Sequence, residues 1–258
     1  MGFFRIERMK YEEKAIIRNL RMEGEYLLLS LFSPLIAKEA RPGQFVNVRV
    51  SESLDPLLRR PISIADVVGE ELRLLVQIRG KGTRLLAEKV VGQSLSLVGP
   101  LGNGFPVVER EIIFVAGGVG IAPFAWLMRL FPSATLLVGF RSREMVPPLD
   151  WFDERRVMIT TDDGSVGERG TVLDVIQKVS FKDKVIFACG PHRMLAALSD
   201  FFEKNFHDIE AYFSTESMMA CGFGACKGCV LPKRDGEYAL CCSDGPIFAW
   251  REMVWESR

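Results

Sequence analysis

The stretch Glu111-Ile-Ile-Phe-Val-Ala-Gly-Gly-Val-Gly-Ile-Ala-Pro123 decides the fold class of the second half of this chain. Its continuous apolar run is typical of a strand buried in a parallel sheet, and we predict a helix over residues 122–130. The glycines permit a tight turn, and proline is tolerated in the first turn of a helix. This order favours a turn that binds a dinucleotide pyrophosphate, although a purely structural strand-to-helix turn looks the same. The candidate residues are Gly117, Gly118, Gly120 and Pro123.

Strands and helices alternate in the residues that follow this turn. We predict strands over residues 135–139, 157–160 and 185–188, and helices over residues 171–179 and 192–204. Such alternation indicates βαβ units on a parallel sheet. The segment Cys189-Gly190-Pro191 ends one strand at the edge where such sheets bind nucleotides, so Cys189 either contacts a nicotinamide or is a small buried core residue.

The residues after the second strand leave the choice of nucleotide open. An acidic residue there would hold the ribose of NAD, but Arg141 and Arg143 occupy this region instead. Taken alone, the two arginines favour the 2′-phosphate of NADP.

The first hundred residues consist of short apolar runs bounded by glycine, proline or charged residues. Examples begin at Tyr26, Gln44 and Leu72, and the pattern predicts an antiparallel barrel or sandwich. We expect one helix there, over residues 83–90. The breaker-rich segment over residues 99–106 marks the boundary with the second half.

Two motifs in this β region can bind anions. Leu58-Arg-Arg-Pro-Ile-Ser-Ile64 places two guanidinium groups beside a strand start, and Gly80-Lys-Gly-Thr83 precedes the helix. Together they suggest a phosphorylated cofactor. A solvated arginine pair and a helix-capping threonine would explain the same residues.

Five of the six cysteines lie between residues 221 and 242. The order Cys221-x4-Cys226-x2-Cys229, followed by a more distant cysteine, is the plant-type spacing of a [2Fe–2S] cluster. Structural zinc and disulfides are the alternatives, but the adjacent Cys241 and Cys242 form a poor zinc pair. Spacing alone does not choose between these two cysteines.

Composition excludes several classes of protein. The 258 residues contain 33 Lys plus Arg and 33 Asp plus Glu, which argues against binding to nucleic acid or to an anionic membrane surface. The first ten residues are too charged for a secretory signal peptide, and the longest apolar run, residues 26–37, is too short to span a bilayer. We therefore expect a cytoplasmic protein.

In combination, these motifs resemble those of the ferredoxin reductase superfamily, and the C-terminal cysteine segment is similar to that of electron-transfer subunits of class 1B dihydroorotate dehydrogenases. The resemblance implies a β-barrel FAD domain over residues 1–104, an α/β NAD domain over residues 105–214 and a [2Fe–2S] domain over residues 215–258.

The resemblance also implies roles for individual residues. FAD contacts are assigned to Arg60, Pro61, Ile62, Ser63, Leu75, Val76, Gln77, Gly82 and Thr83. NAD contacts are assigned to Gly117, Gly118, Gly120, Pro123, Cys189, Gly190 and Pro191. The cluster ligands are Cys221, Cys226, Cys229 and Cys242, the last being the cysteine two residues before Asp-Gly-Pro. Gln77 replaces an expected arginine, and NAD is preferred despite Arg141 and Arg143.

The implied function is that of an oxidoreductase subunit in pyrimidine biosynthesis. Electrons would pass from an FMN-containing catalytic subunit through [2Fe–2S] and FAD to NAD⁺, in a heterotetramer of two catalytic and two electron-transfer subunits. We do not expect the chain to oxidise dihydroorotate alone, and we expect residues 218–229 at the interface. The alternatives are a subunit of a hydrogenase or of an NADH-dependent ferredoxin:NADP oxidoreductase, or a zinc-stabilised interaction or redox-sensing module.

Overall fold

The computed structural model describes residues 10–206 and 208–256. Of the charged N-terminal stretch, on which the expectation of no signal peptide depends, only Lys10 lies within the described residues. Among these residues, no helix is both long enough and apolar enough to span a bilayer.

The N-terminal half forms a closed antiparallel barrel, as predicted. Its six strands follow one another in the order β1-β2-β5-β4-β3-β6. Their bounds are β1 (Tyr11–Glu23), β2 (Tyr26–Phe32), β3 (Phe45–Val48), β4 (Arg60–Val68), β5 (Glu71–Gln77) and β6 (Ser94–Leu101). Aliphatic side chains such as Leu29, Val46 and Leu97 fill the interior and are fully buried. Closure leaves the barrel without an unpaired edge.

Two short helices accompany the barrel, and only one of them was expected. Helix α1 (Pro34–Glu39) was not predicted, because six residues are too few to show a helical period, but proline at its start is favourable. Helix α2 (Lys81–Ala87) begins and ends earlier than the predicted range of 83–90. It begins earlier because Oγ1 of Thr83 accepts the N–H of Gly80 at 3.2 Å and caps the helix there.

The second half contains the predicted parallel sheet. Seven strands lie in the order β10-β9-β8-β7-β11-β12-β15, and only β15 is antiparallel to its neighbour. The strands are β7 (Glu111–Gly117), β8 (Thr135–Phe140), β9 (Val157–Thr161), β10 (Glu168–Arg169), β11 (Lys184–Cys189) and β12 (Glu210–Ser214). The helices are α3 (Phe124–Leu130), α4 (Val172–Ile176) and α5 (His192–Asn205). Helix α3 starts two residues later than predicted, because residues 118–121 form a 3-10 turn.

The C-terminal segment contains β13 (Val230–Pro232), β14 (Tyr238–Leu240) and β15 (Ile247–Ala249). The first two strands pair with each other, whereas β15 joins the large sheet beside β12. The cysteines of this segment also pack against the barrel, since Cys229, Cys241 and Cys242 share one buried cluster with Phe45 and Leu101. The segment therefore contacts both the barrel and the sheet.

Candidate functional site

The glycine turn after β7 packs tightly against the segment after β11. A Cβ atom at Gly120 would lie 2.7 Å from the carbonyl carbon of Cys189, and one at Gly117 would lie 2.9 Å from Cδ of Pro191. Such distances are much shorter than real Cβ contacts, so only glycine fits at either position. The predicted nucleotide residues on the two strands therefore lie side by side.

A cavity of about 360 Å³ opens at this edge of the sheet. Gly117, Gly118 and Pro191 line it from the sheet, while Gln77 and Arg79 line it from the barrel. Its size and its position at the carboxyl ends of parallel strands are typical of a nucleotide-binding crevice. Arg79 supplies a cation beside Gln77, the residue that stands in place of the expected arginine.

Gln77 leaves a buried polar atom available to a ligand. Its Nε2 donates to Oε2 of Glu25 at 3.3 Å, whereas its Oε1 has no hydrogen-bond partner among the described residues. A buried carbonyl oxygen without a donor is unfavourable, so a bound group that donates a hydrogen bond fits here. Its two assigned neighbours, Leu75 and Val76, are buried in hydrophobic clusters.

Sequence reasoning did not find Asp162, which follows β9 and lines the same cavity as Arg141. The signal was present, because Asp162 and Asp163 directly follow a strand that ends at the ligand-binding edge. An acidic side chain at this edge can accept hydrogen bonds from ribose hydroxyls and repel a 2′-phosphate. Asp162 therefore provides the acidic group that the sequence lacked after β8.

The two anion-binding motifs of the barrel come together. A Cβ atom at Gly82 would lie 2.5 Å from Nε of Arg60, so the backbone in the first turn of α2 lies directly on this guanidinium. The adjacent Arg59 is paired with a carboxylate instead, because it donates to Oε1 of Glu12 at 2.6 Å. Thr83 is partly occupied by capping, since its Oγ1 also accepts the N–H of Arg79 at 3.0 Å. Arg60 and the backbone at Gly82 form a cradle that fits a phosphate group.

Cys189 is buried beside the nucleotide cavity. Burial, with a smaller contribution from the negative charge of Glu216, raises the pKa of its thiol to about 12. The thiol therefore stays neutral and unreactive, which suits a packing contact and not a nucleophile.

Glu216 is a second residue that sequence reasoning did not identify. It lines a crevice of about 620 Å³ beside Pro191. Desolvation by the surrounding protein raises the pKa of this carboxyl group, although the positive charge of Arg79 lowers it in part. A carboxyl group with a raised pKa in a crevice is typical of functional sites.

Close contacts connect the four proposed cluster ligands two by two. Sγ of Cys229 lies 3.2 Å from Sγ of Cys242, and Sγ of Cys221 accepts the N–H of Cys226 at 3.4 Å. Within the described residues, no three His, Cys, Asp or Glu side chains are arranged around a single ion. The C-x4-C-x2-C spacing with a fourth cysteine beside Cys229 suits a [2Fe–2S] cluster better than a single tetrahedral zinc.

Backbone N–H groups point at these sulfurs. Gly224 donates to Sγ of Cys242 at 3.1 Å, and Gly222 and Gly224 have φ values of +80° and +89°, which favour glycine. Burial alone would raise the pKa of Cys221, but hydrogen bonds, the strongest from Cys226, lower it to about 6. A thiolate stabilised in this way is prepared for a metal.

Cys241 differs from Cys242 in its hydrogen-bond partner. It is fully buried, and its Sγ donates to the carbonyl oxygen of Thr215 at 3.5 Å. None of the six cysteines is in a disulfide. The geometry thus favours Cys242 as the fourth member of the set.

A β-barrel with an arginine-based anion cradle, a parallel sheet with a glycine turn, and a four-cysteine segment together define a class of protein. They are the parts of a flavin- and pyridine-nucleotide-dependent reductase of the ferredoxin reductase type, extended by an iron–sulfur domain.

Comparison with known proteins narrows this class. Residues 216–254 match the iron-sulfur cluster binding domain of dihydroorotate dehydrogenase B. The dihydroorotate dehydrogenase B (NAD(+)) electron transfer subunit of Geobacillus sp. (strain WCH70) is 38% identical, over 95% of this chain and 99% of that protein. The corresponding protein of Shouchella clausii (strain KSM-K16) is 37% identical, over 96% and 99%. This chain belongs to the family of electron transfer subunits of dihydroorotate dehydrogenase B.

Solved structures confirm the predicted fold. The structure of an NADH-dependent reduced ferredoxin-NADP oxidoreductase, studied for flavin-based electron bifurcation, has a TM-score of 0.82 and 29% identity and covers 94% of this chain and 90% of that one. A ferredoxin reductase in carbazole 1,9a-dioxygenase has a TM-score of 0.64 at 21% identity, covering 76% and 66%, and is similar in fold alone.

Proposed function

We propose that this chain is the electron-transfer subunit of an NAD-linked dihydroorotate dehydrogenase. The observation that carries the proposal is the packing of the cysteine segment on the barrel. Cys229 and Cys242 share a buried cluster with Phe45 of the strand Phe45–Val48, and the next strand bears the Arg60 cradle. This arrangement supports the proposal because an iron–sulfur site and a flavin site at these residues would lie in one compact unit. An electron-transfer subunit needs such proximity because it must connect a one-electron carrier to a two-electron acceptor.

The chain's own residues would hold each group. Arg60 and the Gly82 backbone would bind the FAD pyrophosphate, and the residues after Arg60 on β4 would support the rest of the cofactor. When bound, FAD exchanges electrons singly or in pairs, and [2Fe–2S] exchanges them singly. Cys221, Cys226, Cys229 and Cys242 would bind the cluster, with N–H groups stabilising their thiolates.

The glycine turn would hold NAD over the crevice, close to Cys189. Gly120 permits the close approach of the turn to the segment after β11, and Asp162 would accept hydrogen bonds from ribose hydroxyls. The same carboxylate would repel the 2′-phosphate of NADP. We therefore assign NAD as the nucleotide, despite Arg141.

The partner would be an FMN-containing catalytic subunit that oxidises dihydroorotate, and we propose two copies of each subunit. Apolar side chains around the cysteines are accessible, including Met218 at 88% and Phe223 at 45% exposure. Cys226 is exposed as well. An exposed apolar patch beside a redox centre is suited to docking a protein partner, so residues 218–229 are assigned to the interface. We also propose a cytoplasmic location, where cysteines that bind a cluster are kept reduced.

Anaerobic purification with the catalytic subunit tests this function. We expect two irons, two sulfides and one FAD per chain by chemical analysis, and NADH formation from dihydroorotate only when both subunits are present. Zinc without iron would overturn the proposal and favour the interaction module.

A second candidate is a subunit of an NADH-dependent ferredoxin:NADP oxidoreductase, and the structural similarity to such a protein favours it. Co-purification separates the two. A partner that carries FMN and reduces it with dihydroorotate supports the first function, whereas a partner that binds ferredoxin and NADP supports the second.

A further inference from the structure

One barrel side chain forms a hydrogen bond with the cluster segment, residues 221–242, which contains the proposed cluster ligands. Asn47 lies on β3 and is only 1% exposed. Its Nδ2 donates to the carbonyl oxygen of Cys221 at 3.2 Å. The next residue, Gly222, packs so closely that an added Cβ would overlap this amide, lying 3.1 Å from its Cγ. The first cluster ligand is therefore seated on the Asn47 side chain.

The same residue is paired with the strand that would hold FAD. In the antiparallel ladder between β3 and β4, Asn47 is opposite Pro61, and its neighbour Val48 is opposite Arg60. The first proposed cluster ligand, Cys221, is thus connected to the proposed flavin strand β4 through the Asn47 side chain and the pairing of β3 with β4.

A second asparagine holds the other end of the cluster segment. Nδ2 of Asn103 donates to the carbonyl oxygens of Ser243 and Asp244 at 3.1 and 2.7 Å. These residues directly follow Cys242, and the Asn103 N–H donates to the carbonyl oxygen of Gly245 at 2.7 Å. Hydrogen bonds from the N-terminal half therefore hold the cluster segment next to its first and its last proposed ligand.

The chemistry of Asn47 argues against a merely space-filling role. Its Oδ1 is buried without a hydrogen-bond partner among residues 10–206 and 208–256. An amide that leaves one atom unsatisfied is less favourable in a barrel wall than an apolar side chain of similar size. The hydrogen bond to Cys221 is what the amide provides at this position.

We propose that Asn47 is a positioning residue that fixes the first cluster ligand against the flavin-holding strand, with Asn103 fixing the last. Their hydrogen bonds set the separation and the electronic coupling of the two cofactors. The inference rests on the cofactor sites given under the proposed function.

The test uses the full chain, reconstituted anaerobically with FAD, iron and sulfide. Asn47→Asp keeps the shape of the side chain but places an oxygen where the N–H donor was. Asn19→Asp is the matched control, because Asn19 is an exposed asparagine of the same barrel. NADH reduces FAD by hydride transfer, seen as loss of flavin absorbance, and one electron then reduces the cluster, seen by electron paramagnetic resonance (EPR).

We expect Asn47→Asp to leave FAD content and the hydride step unchanged, to slow cluster reduction, and to alter the g values of the reduced cluster. Because outer-shell partners contribute about tenfold or more to metal affinity, we also expect iron release to a chelator to accelerate roughly tenfold. Asn19→Asp should behave as the unmodified chain in every measurement. Equal behaviour of the two variants would refute the inference.

Two further outcomes are distinguishable. If the unmodified chain binds no cluster or no FAD, the proposed function fails before Asn47 is tested. If Asn47→Asp does not fold, Asn103→Ala carries the same test at the last ligand, with the same expected loss of coupling. Unchanged EPR and iron release in Asn103→Ala would then overturn the inference.

Discussion

Gly120 is the residue on which the nucleotide turn depends most. In Gly120→Ala the new Cβ would meet the backbone at Cys189, which cannot move without disturbing β11. We expect a loss of about 1–3 kcal/mol in the free energy of unfolding and much weaker NAD⁺ binding. Urea unfolding and calorimetric titration with NAD⁺ measure the two effects.

In the unfolding measurement, the control for Gly120 is Gly118→Ala. Gly118 has a φ of +55° but no atom within 4 Å of an added Cβ, so only backbone strain of about 1 kcal/mol is expected. Equal losses in the two variants would show that the packing of the turn on Cys189 is unimportant.

Asp162 should determine the choice between NAD and NADP. Asp162→Asn removes a negative charge from the cavity that also contains Arg141. We expect the ratio of kcat/KM for NADPH to that for NADH to rise about tenfold, which corresponds to ~1.4 kcal/mol. Asp163→Asn makes the same charge change at a side chain that instead accepts the Ser165 hydroxyl at 2.6 Å, and it should have little effect. A larger shift in Asp163→Asn would contradict the assignment.

The two adjacent cysteines give a simple test of the cluster ligands. Cys242→Ser removes the sulfur that pairs with Cys229, so we expect the chain to lose its cluster absorbance and most of its iron. Cys241→Ser changes only the sulfur that bonds to Thr215, and iron content should be retained. Iron analysis after anaerobic reconstitution shows which of the two cysteines is the fourth ligand. Loss of iron in Cys241→Ser alone would reverse the ligand assignment.

Among the secondary-structure elements, those with local signals were predictable. The strand before the glycine turn, the alternating strands of the barrel and the four-cysteine spacing depend on neighbours in sequence, and they were recognised. Helix α1 was missed, since its first four residues lie at the end of the apolar run over residues 26–37, which also fits a strand. Strand β15 has only three residues, and its place beside β12 is set by contacts with a distant part of the chain.

Two different reasons account for the site residues that were missed. Asn47 and Cys221 are 174 positions apart, so no local pattern could connect them. Asp162 follows the third strand of the sheet, whereas the usual rule looks after the second. The cofactor-binding motifs could be predicted because each is continuous in the sequence. Asn47, which connects two of these motifs in space, could not be predicted because its partner is distant in the sequence.

At the scale of the whole molecule, Tyr26 links the two halves. Its hydroxyl donates to the carbonyl oxygen of Met145 at 2.7 Å, and burial raises its pKa to about 12. The folded state therefore favours the neutral phenol. This contribution is complete below about pH 10, the unfolded value, and is lost as the pH rises towards 12.

Tyr26→Phe should test this link. We expect a loss of about 1 kcal/mol in the free energy of unfolding at neutral pH and a shallower decline between pH 10 and 12 than in the unmodified chain. Tyr238→Phe is the control, since Tyr238 is 70% exposed. Urea unfolding at several pH values measures both, and parallel alkaline declines for Tyr26→Phe and the unmodified chain would contradict the prediction.

The pairing of β15 with β12 fixes both ends of the cysteine segment to the edge of the sheet. Ser214 is opposite Ile247, so the chain leaves the sheet edge, runs past all four proposed ligands and returns to the strand it left. A segment tied down at both ends is not a tethered shuttle that swings between donor and acceptor. Electrons must therefore cross between stationary sites, and the donor protein has to dock against the segment where it stands.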